Sequence, residues 1–197
     1  MLKVIKAQPE DAAYVVSLMY KALGDYADFL MASNNPNKTI SCMEACFKSN
    51  QPHQLHYSNC LVAVMDNEII GEATCYAGNK IPAFNKNLSS IIAEFPKDYT
   101  KIKHVVDMLQ HLKEADADEY YMDTLSIQQK HQHTGIGHYL LQAVYAKAAQ
   151  EGFSKLSIVV QYGKEYLLDY YIKQGFFLTE DRDLGGINYH RLLRTLQ

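Results

Sequence analysis

The chain has 197 residues, 48% of them hydrophobic, and a formal net charge of −3. That length and apolar share suit one core-bearing domain and exclude a disordered chain. The small charge gives no electrostatic case for nucleic acid or an anionic membrane surface, and no run of ~18 apolar residues marks a bilayer span.

Residues 1–5 lack the apolar centre of a secretion signal, so the expected compartment is the cytoplasm. Cys42, Cys46, Cys60 and Cys75 are then expected as reduced, small hydrophobes. Cys42 and Cys46 lie one helical turn apart without a second Cys or His pair, so no metal site is expected. Residues 3–7 read as an opening strand. Pro9-Glu10-Asp11 opens a helix, with proline suited to a first turn and acids to the positive dipole end. Ala12, Val15, Val16, Met19 and Leu23 keep helical spacing. Residues 33–38 read as a loop, and Ser41 with Glu44 as a capping box for a short helix ending near Ser49.

Residues 61–65 and 69–76 read as two strands of a hairpin around the turn Asp66-Asn67-Glu68. Residues 79–118 form a polar, proline-bearing insert. Within it Ile102, Val105, Val106, Leu109 and Leu112 fit one amphipathic helix, and its length suggests a functional cover. Residues 120–127 are the next strand. Residues 137–150 are a helix with Leu140, Leu141, Val144, Tyr145 and Ala148 inward and Gly152 as its stop. A buried strand at 156–160, a helix at 164–174 and strands from 176 and 187 complete one α/β domain spanning 1–197.

Gln132-His133-Thr134-Gly135-Ile136-Gly137 joins the strand at 120–127 to the helix after it. A glycine turn at a helix N-terminus presents free backbone N–H groups to a phosphate-bearing ligand. A P-loop would need Gly-Lys-Ser/Thr, and this turn runs Gly135-Ile136-Gly137-His138. A dinucleotide fingerprint would need a third glycine where Leu140 stands, and an acid about 20 residues on, which is missing. The remaining option is the pyrophosphate arm of coenzyme A.

Gln132-x-x-Gly135-x-Gly137, five residues past Ile127, resembles the acetyl-CoA motif of the GCN5-related N-acetyltransferases, the GNAT superfamily. Residues 3–18, the turn Asn67-Glu68-Ile69-Ile70-Gly71-Glu72 and the segment Tyr170-Tyr171-Ile172-Lys173-Gln174-Gly175-Phe176 are similar to that family in the same order, while the 79–118 insert matches poorly. The resemblance implies a mixed, mostly antiparallel sheet flanked by helices, with a V-shaped splay between the strands at 120–127 and 156–160. It implies acetyl-CoA as co-substrate, no metal, and direct attack by a primary amine in a ternary complex.

The resemblance also implies roles. Backbone groups of Leu125, Ser126 and Ile127 would meet the pantetheine arm. Amides of His133, Thr134, Gly135, Ile136 and Gly137 would cradle the pyrophosphate, rimmed by Gln132 and His138. Tyr171 would protonate the leaving thiolate; its other reading is an inward packing residue. Tyr121 stands where some members carry a carboxylate. Asp123, on the same face, would take the amine proton directly or through water; its other reading is a structural carboxylate. Glu72, on the adjacent strand, is a second candidate. Lys164 stands where the family often has asparagine, and either pairs with a phosphate or is solvated. The acceptor, a small-molecule or peptide amine, would lie among residues 26–58, the face of the 120–127 strand and the insert. Glu94, Asp107, Glu114, Asp116 and Asp118 would attract a cation, against Lys97, Lys101, Lys103 and Lys113. A CoA-binding module without catalysis, a longer acyl chain, a hydroxyl acceptor, and monomer or homodimer remain open at this point.

Overall fold

The computed structural model describes residues 1–95 and 99–196; Lys97 lies outside the described residues. The apolar runs become seven strands: β1 (Leu2–Lys6), β2 (Cys60–Met65), β3 (Glu68–Ala77), β4 (Tyr120–Ile127), β5 (Lys155–Gln161), β6 (Phe177–Leu184) and β7 (Ile187–Thr195). They form one sheet in the order β1-β2-β3-β4-β5-β7-β6. Every neighbouring pair is antiparallel except β4 with β5. The β2–β3 hairpin turns on Asp66 and Asn67, both at positive φ (51° and 65°). Such a primed turn matches the right-handed twist of the strands it joins.

Helix α1 (Ala12–Leu23) packs on β3 and β4 through one apolar stripe, with Ala12, Val15, Val16 and Met19 fully buried. Helix α6 (Ile136–Gln150) covers the opposite face, and the five inward residues its spacing predicts are all buried, with Ile136 a sixth at its start. Helices α2 (Asp25–Leu30) and α3 (Pro36–Phe47) extend the layer around α1. The start of α3 corrects the capping-box expectation. Asn35 is the cap, its Oδ1 accepting from the Lys38 N–H at 3.2 Å, and Pro36 fills the first turn. Ser41 sits mid-helix, its hydroxyl turned back to the Asn37 carbonyl at 2.9 Å.

The insert holds two helices where the sequence reading gives one. α5 (Tyr99–His111) is the expected one. α4 (Ile81–Ala93) precedes it and buries Ile81, Phe84, Leu88 and Ile92, a clear helical stripe. Past α5 the chain runs as a strap back to β4. Asn85 Nδ2 donates to the Leu112 carbonyl (3.0 Å), and Arg182 Nη1 donates to the carbonyls of Lys113 and Glu114 (2.9 Å each). Gly78 is required where the strap crosses: a Cβ there would lie 2.0 Å from the Asp116 carbonyl oxygen. Arg191, 4% exposed, ties the strap to β7 through Glu119 and Asp116, and also reaches Glu180 of β6.

Two features of β4 open the centre of the sheet. It pairs with β5 only at Tyr120 with Leu156 and Tyr121 with Ser157, although both strands run on. It also carries a bulge opposite Thr74 and Cys75, whose partners are Thr124 and Met122, so Asp123 is the extra residue. Helix α7 (Glu165–Lys173) then succeeds β5 on the far side of the gap.

Candidate active site

The gap between β4 and β5 opens into a cavity of about 870 Å³. Its walls include Asp123 to Ile127 of β4, Val159 to Gln161 of β5, Lys164, and Leu167, Tyr170 and Tyr171 of α7. Gln132, His133, Gly135, Gly137 and His138 of the glycine turn line the same space. Glu114 of the strap, Tyr26, Tyr121 and Tyr189 line it too.

The turn is built as an anion cradle. His133 and Gly135 take left-handed backbone angles (φ 62° and 90°). The first intrahelical-type bond is Tyr139 N–H to the Gly135 carbonyl at 3.0 Å. Backbone amides from His133 through His138 have no acceptor among the described residues. Gln132 Nε2 donates to the Ile127 carbonyl (3.2 Å), and His138 Nδ1 pairs with Gln174 Oε1 (2.8 Å). Thr134 does not line the cavity; its hydroxyl donates to the His131 carbonyl at 2.6 Å and braces the turn. Ile136 is buried in the core and anchors the helix start. Lys164 caps α7 and has no carboxylate partner among the described residues.

Deeper in the cavity the bulge brings two carboxyls together. The Tyr76 hydroxyl lies 3.2 Å from Asp123 Oδ2 and 3.5 Å from Glu114 Oε2. Burial pushes Asp123 up to about 6, with the Tyr76 hydrogen bond opposing. Burial, then the Asp123 charge, holds Glu114 well above the usual carboxylate range. Burial raises Tyr121, Tyr26 and Tyr76, and both acids add to the effect on each. Tyr189 is pushed up to about 12 by burial, then by Asp123 and Glu114. Tyr171 is 8% exposed, and burial raises its phenol too. Its ring packs edge-on against Phe176 (5.6 Å) and Tyr170 (5.1 Å).

Glu72 does not line the cavity. It is fully buried between α1 and the sheet, accepting from Thr124 Oγ1 (3.0 Å) and Thr74 Oγ1 (3.2 Å), and burial pushes it up to about 8. Glu72 therefore stands one hydrogen bond behind the cavity wall, at Thr124, rather than in it. Its contribution to folding is full below the ordinary value of 4.5 and is lost as pH rises through 8. Glu72→Gln removes an ionisation penalty of roughly 3 kcal/mol at pH 7. Thermal melts should show the variant close to the parent at pH 5 and above it at pH 8.

The sequence profile of the acetyltransferase (GNAT) family matches residues 27–176. The chain belongs to that family. A search of curated protein sequences returns no match. Among solved structures, an N-acetyltransferase from Staphylococcus aureus Mu50 superposes with a TM-score of 0.80 at 23% identity, covering 97% of this chain and 99% of that one. PaiA N-acetyltransferase from Thermoplasma acidophilum, in complex with coenzyme A, gives 0.56 at 14%, covering 99% of each. N-acetylglutamate synthase from Neisseria gonorrhoeae, complexed with coenzyme A and N-acetyl-glutamate, gives 0.58 at 16%, over 100% of this chain and 35% of its own. At these identities the likeness is one of fold: the GNAT sheet, with its splay at the parallel pair.

Within this GNAT fold the cavity lining differs from the acceptor wall that the sequence reading expects. Among the described residues, only Tyr26 of 26–58 lines the cavity, and only Glu114 of the insert. Leu184 and Tyr189, from β6 and β7, supply a wall that the sequence reading does not include. Asp116 and Asp118 are spent elsewhere, on Lys113 and Arg191 and on Lys155. Among the described residues no His, Cys, Asp and Glu cluster could hold a metal ion, and no helix is long and apolar enough to cross a membrane.

Proposed function

We propose that this protein transfers an acetyl group from acetyl-CoA to a primary amine by direct attack in a ternary complex. The observation that carries the reading is the turn His133 to His138, whose amides are free and whose His133, Gly135, Gly137 and His138 line the cavity together with Asp123 and Tyr171. The chain fits the co-substrate in two further ways. Backbone groups of Leu125 to Ile127 that face the gap lack a β5 partner and suit the pantetheine amides. Lys164 stands free for a phosphate.

Acetyl-CoA supplies the electrophilic thioester carbonyl. Asp123 accepts the proton of the incoming ammonium, leaving the nitrogen lone pair free to form the new C–N bond. As the C–S bond breaks, the Tyr171 hydroxyl delivers a proton to sulfur; the second nitrogen proton, released as the amide forms, restores the phenol, and the proton on Asp123 passes to solvent. A phenol with a raised pKa stays protonated at neutral pH, as a donor must. Tyr121 and Tyr26 pack against the acceptor, and Gln132 and His138 rim the phosphates.

Acetyl-CoA at 100-fold over its Kd should stabilise the fold by about 2.7 kcal/mol in a thermal-shift measurement. Tyr171→Phe should keep that shift and lower kcat about 10²- to 10⁴-fold with an accepted amine. A parent that binds acetyl-CoA yet releases no CoA thiol with any amine would rule out the transferase.

A further inference from the structure

The floor of the cavity is acidic and aromatic, and neither property is needed merely to hold coenzyme A. Asp123 and Glu114 face one another across the Tyr76 hydroxyl. Neither carboxyl has a cationic partner among the described residues. Glu114 is 4% exposed, and its position is fixed rather than incidental. Arg182 and Asn85 grip the strap at three successive carbonyls, and those bonds hold the Glu114 backbone in place. Arg182 is itself paired with Glu180 and does not line the cavity.

The geometry points to an acceptor that is a cationic alkylamine with no carboxylate near the reacting nitrogen, with Glu114 as the residue that excludes amino acids. This rests on the acetyltransferase reading above. An ammonium entering here meets two carboxyl groups and the faces of tyrosine rings, all of which attract a cation. An α-amino acid brings its own carboxylate to the same floor. Among the described residues no lysine, arginine or histidine acts on either acid, so the incoming carboxylate goes unpaired beside the Asp123 charge and beside Glu114, whose ionised form an ammonium favours and a second carboxylate opposes. Like-charge juxtaposition suppresses the wrong ligand, and specificity rests on such repulsion as well as on attraction.

The test is a set of matched pairs that differ by one carboxylate beside the only amine open to acetylation: agmatine with arginine, tyramine with tyrosine, isopentylamine with leucine. The protein should acetylate the decarboxylated member of at least one pair with kcat/KM on the order of 100-fold or more above its partner. Glu114→Gln keeps the side-chain shape but cannot ionise, so it neither pairs with an ammonium nor repels a carboxylate. It should shrink that ratio about tenfold while the KM for acetyl-CoA stays put. Acetyl-CoA thermal shifts on both proteins confirm that the variant is folded. Equal or better use of the amino acids, or a ratio unmoved by Glu114→Gln, overturns the assignment and leaves acetyl transfer standing. Acetyl-CoA binding without transfer to either member of any pair also overturns it. Absence of any shift with a CoA ester removes the acetyltransferase reading itself.

Discussion

Asp123→Asn should lower kcat about 10²- to 10⁴-fold while leaving the acetyl-CoA thermal shift intact. The substitution removes a proton acceptor and little else. Asn still accepts from the Tyr76 hydroxyl 3.2 Å away, and a neutral side chain suits this buried bulge better than a charge does. The fold should therefore melt at or slightly above the parent's temperature. The pH dependence gives the second reading. With Asp123 pushed up to about 6, the active, ionised form gains population as pH rises through that value. The kcat/KM of the parent should climb on an acid limb near 6, and the variant's residual activity should lack it. If the variant instead melts well below the parent and keeps its turnover, Asp123 is a structural carboxylate and the base is another group.

Arg191→Ala should destabilise the fold by about 3–5 kcal/mol, read from urea unfolding. Arg191 and Glu119 are both nearly inaccessible, at 4% and 2% exposure, and they pair directly. Removing the guanidinium leaves a carboxylate in the interior with one backbone donor, the Asp116 N–H at 3.0 Å. The damage would centre on the strap that carries Glu114. A lowered melting point should thus come with a raised KM for the amine. Arg191→Met, similar in volume, should lose nearly as much, because the missing charge matters more than the space.

Much of this architecture is legible in single residues. The spacing of Leu140, Leu141, Val144, Tyr145 and Ala148 marks the buried face of α6, and Asp66-Asn67 marks the hairpin turn. Local chemistry decides such elements, so local sequence reports them. Helix α4 is harder to see, although Ile81, Phe84, Leu88 and Ile92 repeat at helical intervals. Pro82 reads as a breaker, but proline is tolerated in a first turn. The glycine turn and Tyr171 come together in space much as their motif positions imply. Glu72 is harder again. Alternation along β3 gives its face but not that α1 covers that face. Glu114 is the hardest. Nothing nearby in sequence distinguishes it from Asp116 or Asp118. The distinction comes from Arg182, 68 residues away, and from the bulge in β4. Long-range hydrogen bonds of that kind leave no periodic trace.

The brief β4–β5 pairing has a mechanical consequence. β1 lies at one edge of the sheet and β7 next to the other, so tension between the first and last strands passes through the β4–β5 seam. Only two residue pairs bear that load directly, with α6 bridging behind them. The protein is thus two plates riveted at one corner. A ligand that bonds both lips of the crack serves as an added rivet, and a single molecule pulled from its ends should yield at a higher force with that ligand in place.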